Sequence, residues 1–192
     1  MKSDTSIKLV FLTDLHGIVY GENHQKLIEA INLENPDLIV TAGDLTVKTD
    51  WKTLDSARTL LLALAEKFRM YYALGYHEQK MTSCSESGGL YFTYERTLTE
   101  AGICMLHNQN IHTELSGNDL QIYGLELPLE YYKKPFSPKL SLETMSELLG
   151  CREKESISIL LAHNPKYGAS YFDWGADLTL SGHYHGGMLR FG

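Results

Sequence analysis

Short apolar runs alternate with helix-like segments along the first part of the chain, and this alternation restricts the fold more than any other feature. Strands are predicted at 7–12, 37–41 and 70–74, because each run is continuous and rich in β-branched or aromatic residues. Helices are predicted between them at 22–33 and 51–68, where apolar residues recur at helical spacing. This β-α-β-α-β order favours an α/β fold whose sheets are covered by helices.

Shorter elements follow in the second part of the chain. The predicted elements, in order, are a helix at 90–98, strands at 103–106, 111–115 and 120–125, a hairpin turn at 117–119, a proline-rich loop at 127–139, a helix at 141–149, a strand at 157–162, a short helix after Pro165, a strand at 178–180 and a further strand at 188–191.

The composition is that of one globular domain. The 192 residues are 43% hydrophobic and 21% charged, which is enough for one buried core, and we expect a single domain over 1–192. The net charge of -7 disfavours a nucleic-acid partner. The three cysteines are widely spaced and form neither a disulfide framework nor a metal motif, and no stretch is long enough to span a membrane. We therefore expect a cytoplasmic protein.

A polar motif with aspartate or histidine follows each of five predicted strands. The motifs are Asp14-Leu15-His16, Gly43-Asp44, Gly75-Tyr76-His77-Glu78, His163-Asn164 and Gly182-His183-Tyr184-His185. Each motif by itself is more typical of a turn or a helix start. Ligand sites of α/β sheets lie beyond the carboxyl ends of the strands, so the five motifs together predict one site. Oxygen and nitrogen donors without sulfur suit Mn, Fe or Zn.

This series of motifs resembles that of the calcineurin-like metallophosphoesterases, in particular the bacterial branch of predicted phosphohydrolases. The resemblance extends from Asp14 to Gly187. It implies a four-layer α/β/β/α sandwich with a site for two divalent metal ions. It also implies hydrolysis of phosphomono- or phosphodiesters of a small phosphorylated substrate by a metal-bound hydroxide.

The resemblance further implies a role for individual residues. Six of them would hold the metals: Asp14, His16 and His185 the first ion, His163 and His183 the second, and Asp44 both. Besides Asp44, His77 would be catalytic, because it would bind the phosphate and act as a proton donor or charge stabiliser toward the leaving oxygen.

Tyr76 departs from the pattern of the family. The third motif of the family is Gly-Asn-His, in which the asparagine is a ligand of the second metal, but this chain has Gly75-Tyr76-His77. A neutral phenol is a poor ligand. Three interpretations stay open: a damaged second site with the tyrosine in or beside the pocket, a tyrosinate ligand, or a substitution in the chain studied. The alternative to an enzyme is therefore a catalytically impaired binding or scaffold protein.

The end of the chain gives a second departure, because relatives usually continue for further strands beyond the position of Gly192. A sandwich that lacks them would expose a sheet edge, and we expect a homodimer through that edge. Among the remaining residues, His24 is predicted to lie at the surface, and His107 and His112 are given no role. Four residues of the proline-rich loop could stack on and neutralise an organic phosphate, although a solvated loop is the simpler interpretation: Tyr131, Tyr132, Lys133 and Lys134.

Overall fold

Two four-stranded sheets lie at the centre of the computed structural model, which describes residues 6–48, 50–85, 87–153 and 155–185. The first sheet consists of parallel strands in the order β1 (Leu9–Leu12), β2 (Leu38–Thr41), β3 (Met70–Tyr72) and β4 (Cys104–Met105). The second consists of β5 (Gln109–Leu115), β6 (Asn118–Leu125), β7 (Ile157–Ala162) and β8 (Leu178–Leu180). In the second sheet β5 and β6 are antiparallel, and the other neighbours are parallel.

Within the described residues, six α-helices and three short 3-10 turns connect the strands. The helices are α1 (Gln25–Glu34), α2 (Lys52–Ala65), α3 (Tyr76–Thr82), α4 (Gly88–Glu100), α5 (Leu142–Leu149) and α6 (Gly168–Trp174). The 3-10 turns are Glu22–His24, Leu129–Tyr132 and Pro165–Tyr167. No helix in the described part of the chain is long and apolar enough to cross a membrane.

Three layers of apolar contacts hold the sheets and helices together. Leu38 and Val40 of β2 pack between the two sheets, whereas Ile39 faces the helices. This is why β2 is an unbroken apolar run: both of its faces are buried. Similarly, Leu160 of β7 packs under α5 and α6, and Ile159 faces the first sheet. The predicted four-layer α/β/β/α sandwich is confirmed.

One helix was not predicted. The strand predicted at 70–74 ends at Tyr72, and α3 begins at Tyr76, within the third polar motif. The N-cap of α3 is Gly75, whose N–H donates to the carboxylate of Glu78 at 3.1 Å. A glutamate at the third helical position is a start signal, but without serine or threonine at the cap the signal is weak in the sequence.

The other differences are small. The hairpin turn is Ser116–Gly117, with φ of 53° and 75°, and β6 already begins at Asn118, so the turn predicted at 117–119 is shifted. The loop predicted at 127–139 contains a 3-10 turn. The strand predicted at 188–191 lies outside the described residues. β8 is the last strand of the second sheet in the described part, and dimerisation through its edge stays a prediction.

Candidate metal centre

The loops after β1, β2, β7 and β8 meet at one edge of the sandwich through backbone hydrogen bonds. The N–H of His16 donates to the carbonyl of Asp44 at 3.0 Å, which joins the first two loops. The N–H of His183 donates to the Asp14 carboxylate at 2.9 and 3.0 Å, which joins the first sheet to the second. These bonds connect residues up to 169 positions apart in the chain and fix the loops relative to one another.

Glycines allow the backbones to approach this closely. Gly43 has φ of 80°, and a Cβ built on it would overlap the backbone of Gly75. A Cβ on Gly182 would overlap the side chains of Thr13 and Asp14. Larger residues at these positions would separate the loops that carry the polar motifs.

The polar residues themselves have unusual backbone conformations. Five of the six candidate metal ligands have positive φ, between 47° and 71°: Asp14, His16, Asp44, His183 and His185. Each such conformation costs of order 1 kcal/mol for a non-glycine residue, and these conformations concentrate at functional sites. The strain therefore supports the assignment of a functional site at this edge.

The first group of converging donors consists of Asp14, His16 and His185. The Nε2 atoms of the two histidines lie 3.1 Å apart, and each lies 3.8 Å from Oδ1 of Asp14. Ligand atoms that share one ion at about 2.0–2.2 Å lie roughly 3–4 Å apart. The spacing of the three donors therefore fits a single cation.

The second group consists of Asp44, His163 and His183, whose donor atoms lie within 4.8 Å of one another. Nδ1 of His163 is 2.8 Å from the carbonyl of Ala42, which only accepts, so this nitrogen carries the proton. Nε2 then presents its lone pair to Oδ2 of Asp44 at 3.0 Å, and it has no hydrogen-bond partner among the described residues.

Two electron-rich atoms at this distance repel each other unless a positive charge lies between them. Burial lowers the pKa of His163, but the surrounding carboxylates, chiefly that of Asp44, together raise it above its usual value. A position that attracts a proton between imidazole and carboxylate also suits a metal ion, and the carbonyl behind Nδ1 is the usual partner of a ligating histidine. The donors of the second group thus fit a bound cation.

Asp44 connects the two groups. Its donor atom lies within 4.8 Å of those of His16 and His77 as well as those of His163 and His183. Oδ1 accepts the N–H of His77 at 2.7 Å, and Oδ2 lies 3.0 Å from Nε2 of His163. Asp44 therefore lies close to donors of both groups.

Comparison with known proteins decides the family. The model described as calcineurin-like phosphoesterase matches residues 7–187. This chain belongs to the calcineurin-like phosphoesterase family. It is 31% identical to the uncharacterized metallophosphoesterase Cj0846 of Campylobacter jejuni, over 95% of this chain and 45% of that protein. It is 29% identical to a transmembrane protein with metallophosphoesterase domain of Danio rerio, over 98% of this chain and 42% of that protein.

The chain therefore spans less than half the length of these two relatives. Among solved structures, the phosphopantetheinyl hydrolase of Mycobacterium tuberculosis matches with a TM-score of 0.57 and 14% identity, over 95% of this chain and 84% of that one. At this identity the likeness shows the shared fold.

Glu78 stabilises the loops of this centre, although the sequence motifs indicated no role for it. It is fully buried, and its carboxylate accepts hydrogen bonds from four backbone N–H groups and two hydroxyls at 2.8–3.2 Å. Burial and the nearby Asp44 raise the pKa of Glu78 to about 7, while the N–H donors oppose that rise. One side chain thus ties the loop that carries Asp44 to the start of α3.

His77 has a defined tautomer. Its Nδ1 accepts the backbone N–H of Lys48 at 3.1 Å, so in the neutral ring the proton is on Nε2. Burial lowers the pKa of His77, and the positive charges of nearby groups add to this effect. The ring lies edge-on to His16, with centroids 5.1 Å apart, and so borders the centre.

Tyr76 lies beside the second group of donors. A position in or beside this pocket is what the interpretation of a damaged second site expects. Its ring centroid is 6.3 Å from that of His183 and 5.0 Å from that of Tyr132. On another side the ammonium group of Lys80 lies 4.1 Å from the ring centroid, a distance typical of a cation–π contact. The side chain thus forms part of an aromatic wall, and its effect on metal binding stays a prediction.

The histidines outside the motifs have structural contacts. The prediction that His24 lies at the surface is wrong: it is 2% exposed, and its Nε2 is 2.9 Å from the hydroxyl of Ser56. It precedes α1 with φ of 64°, so its ring turns inward under α2. His107 lies between Glu95 and Glu126, and His112 pairs with Asp119 at 2.8 Å.

Proposed function

We propose that this chain hydrolyses phosphomono- or phosphodiesters of small molecules in a metal-dependent reaction. The observation that carries the proposal is the pair of adjacent donor groups, which are connected because Asp44 of the second group also lies near His16 of the first. Two adjacent cation positions that share a carboxylate are the arrangement of two-metal phosphoesterases. Family membership supports the same reaction class.

The ligand assignment follows the two groups. Asp14, His16 and His185 would hold one divalent ion, His163 and His183 the other, and Asp44 both; the donor set suits Mn, Fe or Zn. When bound, two such ions lower the pKa of a water molecule toward neutrality and neutralise charge on the phosphate.

His77 acts on the substrate. With Nδ1 occupied by the N–H of Lys48, the proton on Nε2 is free to donate to a phosphate oxygen. A neutral imidazole in this tautomer stabilises negative charge on the phosphoryl or leaving oxygen by hydrogen bonding, which grows stronger as charge develops in the transition state. Charge stabilisation is thus the role that the hydrogen-bond geometry favours for His77.

The ligands also set a direction for the pH dependence. Imidazoles bind metals only when their donor nitrogen is deprotonated, so activity is expected to fall as the pH becomes acidic. Burial lowers the pKa of His16 and of His183, which keeps both rings neutral at pH 7.

The test combines metal content with turnover. Protein stripped with a chelator and reloaded with Mn²⁺ is expected to bind at least one ion and to hydrolyse bis(4-nitrophenyl) phosphate. His112→Ala is the matched control, because this exposed histidine pairs with Asp119 outside the donor groups. Protein that neither binds metal nor turns over the ester with any divalent cation would overturn the proposal.

A second candidate function is a binding or scaffold role with impaired catalysis. The observation in its favour is the ring of Tyr76 beside His183, where the family has an asparagine. Metal binding without turnover of phosphomonoesters or phosphodiesters would favour this candidate over the enzyme.

A further inference from the structure

A cavity of about 200 Å³ opens beside the candidate metal centre and shares His183 with it. One side of the cavity is formed by the 3-10 turn Leu129–Tyr132 with the two lysines that follow it, and the other by the turn Pro165–Tyr167. The cavity is therefore adjacent to the second donor group.

The lining of the cavity is positively charged. It includes three lysines and, among the residues the structure describes, no carboxylate: Lys133, Lys134 and Lys166. The salt bridges found between described residues involve none of these lysines. The ammonium group of Lys166 contacts the hydroxyl of Ser137 and lies 5.6 Å from the ring centroid of Tyr167, both neutral partners. In a protein of net charge -7, three lysines without a salt bridge among the described residues thus line one cavity.

The positive charge extends to the metal centre. His183 of the second donor group lines the cavity together with Lys133, Lys134 and Lys166. An anion in the cavity would therefore interact with the lysines and, through the shared His183, lie next to a phosphate at the second donor group.

Aromatic rings form the wall between cavity and centre. The ring of Tyr132 lies 5.6 Å from that of His183 and 5.0 Å from that of Tyr76. The ring of Tyr184 lies 5.4 Å from that of His183 on another side. Flat, rigid side chains of this kind define the shape of a binding site at a small cost in conformational entropy.

The floor of the cavity is held by buried hydrogen bonds. The carbonyl of Tyr131 accepts the hydroxyl of Tyr167 at 2.8 Å and the amide of Asn164 at 3.4 Å. Asn164 is 3% exposed, and its side-chain oxygen Oδ1 accepts the backbone N–H of Lys166 at 3.1 Å. These bonds join the two turns and hold in place the backbone that carries the lysines.

We propose that this cavity is a subsite for a second phosphate group of the substrate. The proposal rests on the proposed phosphoesterase function and narrows it: the substrate is a phosphoester that carries another phosphate close to the one attacked. Lysine ammonium groups bind phosphate as point charges. Several of them around one pocket can neutralise a phosphate dianion without the planar, bidentate geometry that a guanidinium group requires. Neutral or singly charged esters would leave these charges unused.

The test measures binding without turnover. Metal-loaded protein is titrated by calorimetry with alkane bisphosphonates of two to four carbons and with the matched alkane monophosphonates, whose C–P bonds are not hydrolysed. We expect the best bisphosphonate to bind about tenfold tighter than its monophosphonate, since each exposed ion pair contributes modestly. In the double variant Lys134→Met, Lys166→Met, this preference is expected to fall to about unity.

Lys139→Met is the control, because Lys139 belongs to the same loop but does not line this cavity. It is expected to keep the tenfold preference. Equal affinity for both phosphonates in the unmodified protein, or an unchanged preference in the double variant, would overturn the subsite. The subsite is tested by a ratio of two affinities, which requires no turnover. Failure of the proposed function would appear differently, as an absence of ester hydrolysis.

Discussion

The two donor groups of the centre differ in how deeply the protein encloses them. In the second group, Asp44 and His163 are 2% and 1% exposed, and a carbonyl fixes the tautomer of the histidine. In the first group, the side chain of His185 is 57% exposed and its ring stacks on that of His16. The enclosed group is preorganised for an ion, whereas water or substrate can reach the open group.

This difference changes the meaning of Tyr76. The tyrosine replaces an expected ligand of the enclosed group, so this group would hold an ion with one ligand fewer. The remaining donors of the enclosed group are nevertheless held in position more firmly than the donors of the open group. Occupancy of the two positions must be measured separately to decide which property dominates.

The largest effect is expected for Asp44→Asn, because this change removes the carboxylate that we propose holds both ions. Metal content should fall at both positions, and kcat/KM should fall at least about a hundredfold. Metal analysis of the purified variant and hydrolysis of bis(4-nitrophenyl) phosphate measure the two effects. The exposed Asp173→Asn is the control. Retention of both ions in the Asp44 variant would contradict the shared position.

The comparison of the two groups is sharpened by His163→Ala and His185→Ala. Each variant should lose one ion, but only His163→Ala should also lower the melting temperature of the metal-free protein. That change leaves the buried carbonyl of Ala42 without the N–H donor of His163, at a cost of about 1–3 kcal/mol. Differential scanning fluorimetry with a chelator present gives the measurement. Equal melting temperatures of the two variants would show that burial does not distinguish the groups.

A smaller gain is expected for Tyr76→Asn. Restoring the amide ligand should raise occupancy of the second position and activity by about tenfold, the lower range for a change near a metal. Tyr76→Phe separates the causes, because it keeps the ring and removes the hydroxyl. A Phe variant that binds metal as the unmodified protein does would exclude a tyrosinate ligand. No change in the Asn variant would mean that position 76 does not limit metal binding.

The smallest effect lies outside the centre, at His107. Hydrogen bonds that the ring of His107 donates to the carboxylates of Glu126 and Glu95 raise the pKa of His107 to about 10 from its ordinary value of 6.5. Because the pKa is raised in the folded state, the stabilisation is complete below pH 6.5 and is lost as the pH rises through about 10. Thermal melts should therefore show that His107→Gln lowers the melting temperature most at acid pH, with the difference shrinking toward pH 10. A difference independent of pH would contradict this account.

Much of the fold could be predicted from the sequence, because strand signals are local. The runs that became β2 and β7 are apolar on both faces, and such runs are typical of buried strands whatever their neighbours. The start of α3 was missed because its cap is a glycine and its main start signal is the side chain of Glu78. The inward position of His24 was missed because it depends on a contact with Ser56 across 32 residues.

The donor residues of the site and their position after strands were determined by the sequence itself, since both depend on residue type and local order. The tertiary structure decided the rest: which donors converge, which nitrogen of His163 carries the proton, and how Glu78 supports Asp44. It also brought Lys166 next to Lys134 in one cavity. These features arise where loops distant in the chain approach within hydrogen-bond range, and no local pattern encodes that approach. Tyr76 illustrates both contributions. The sequence shows that the expected ligand is missing at this position, and only the tertiary structure shows that the ring lies next to Tyr132.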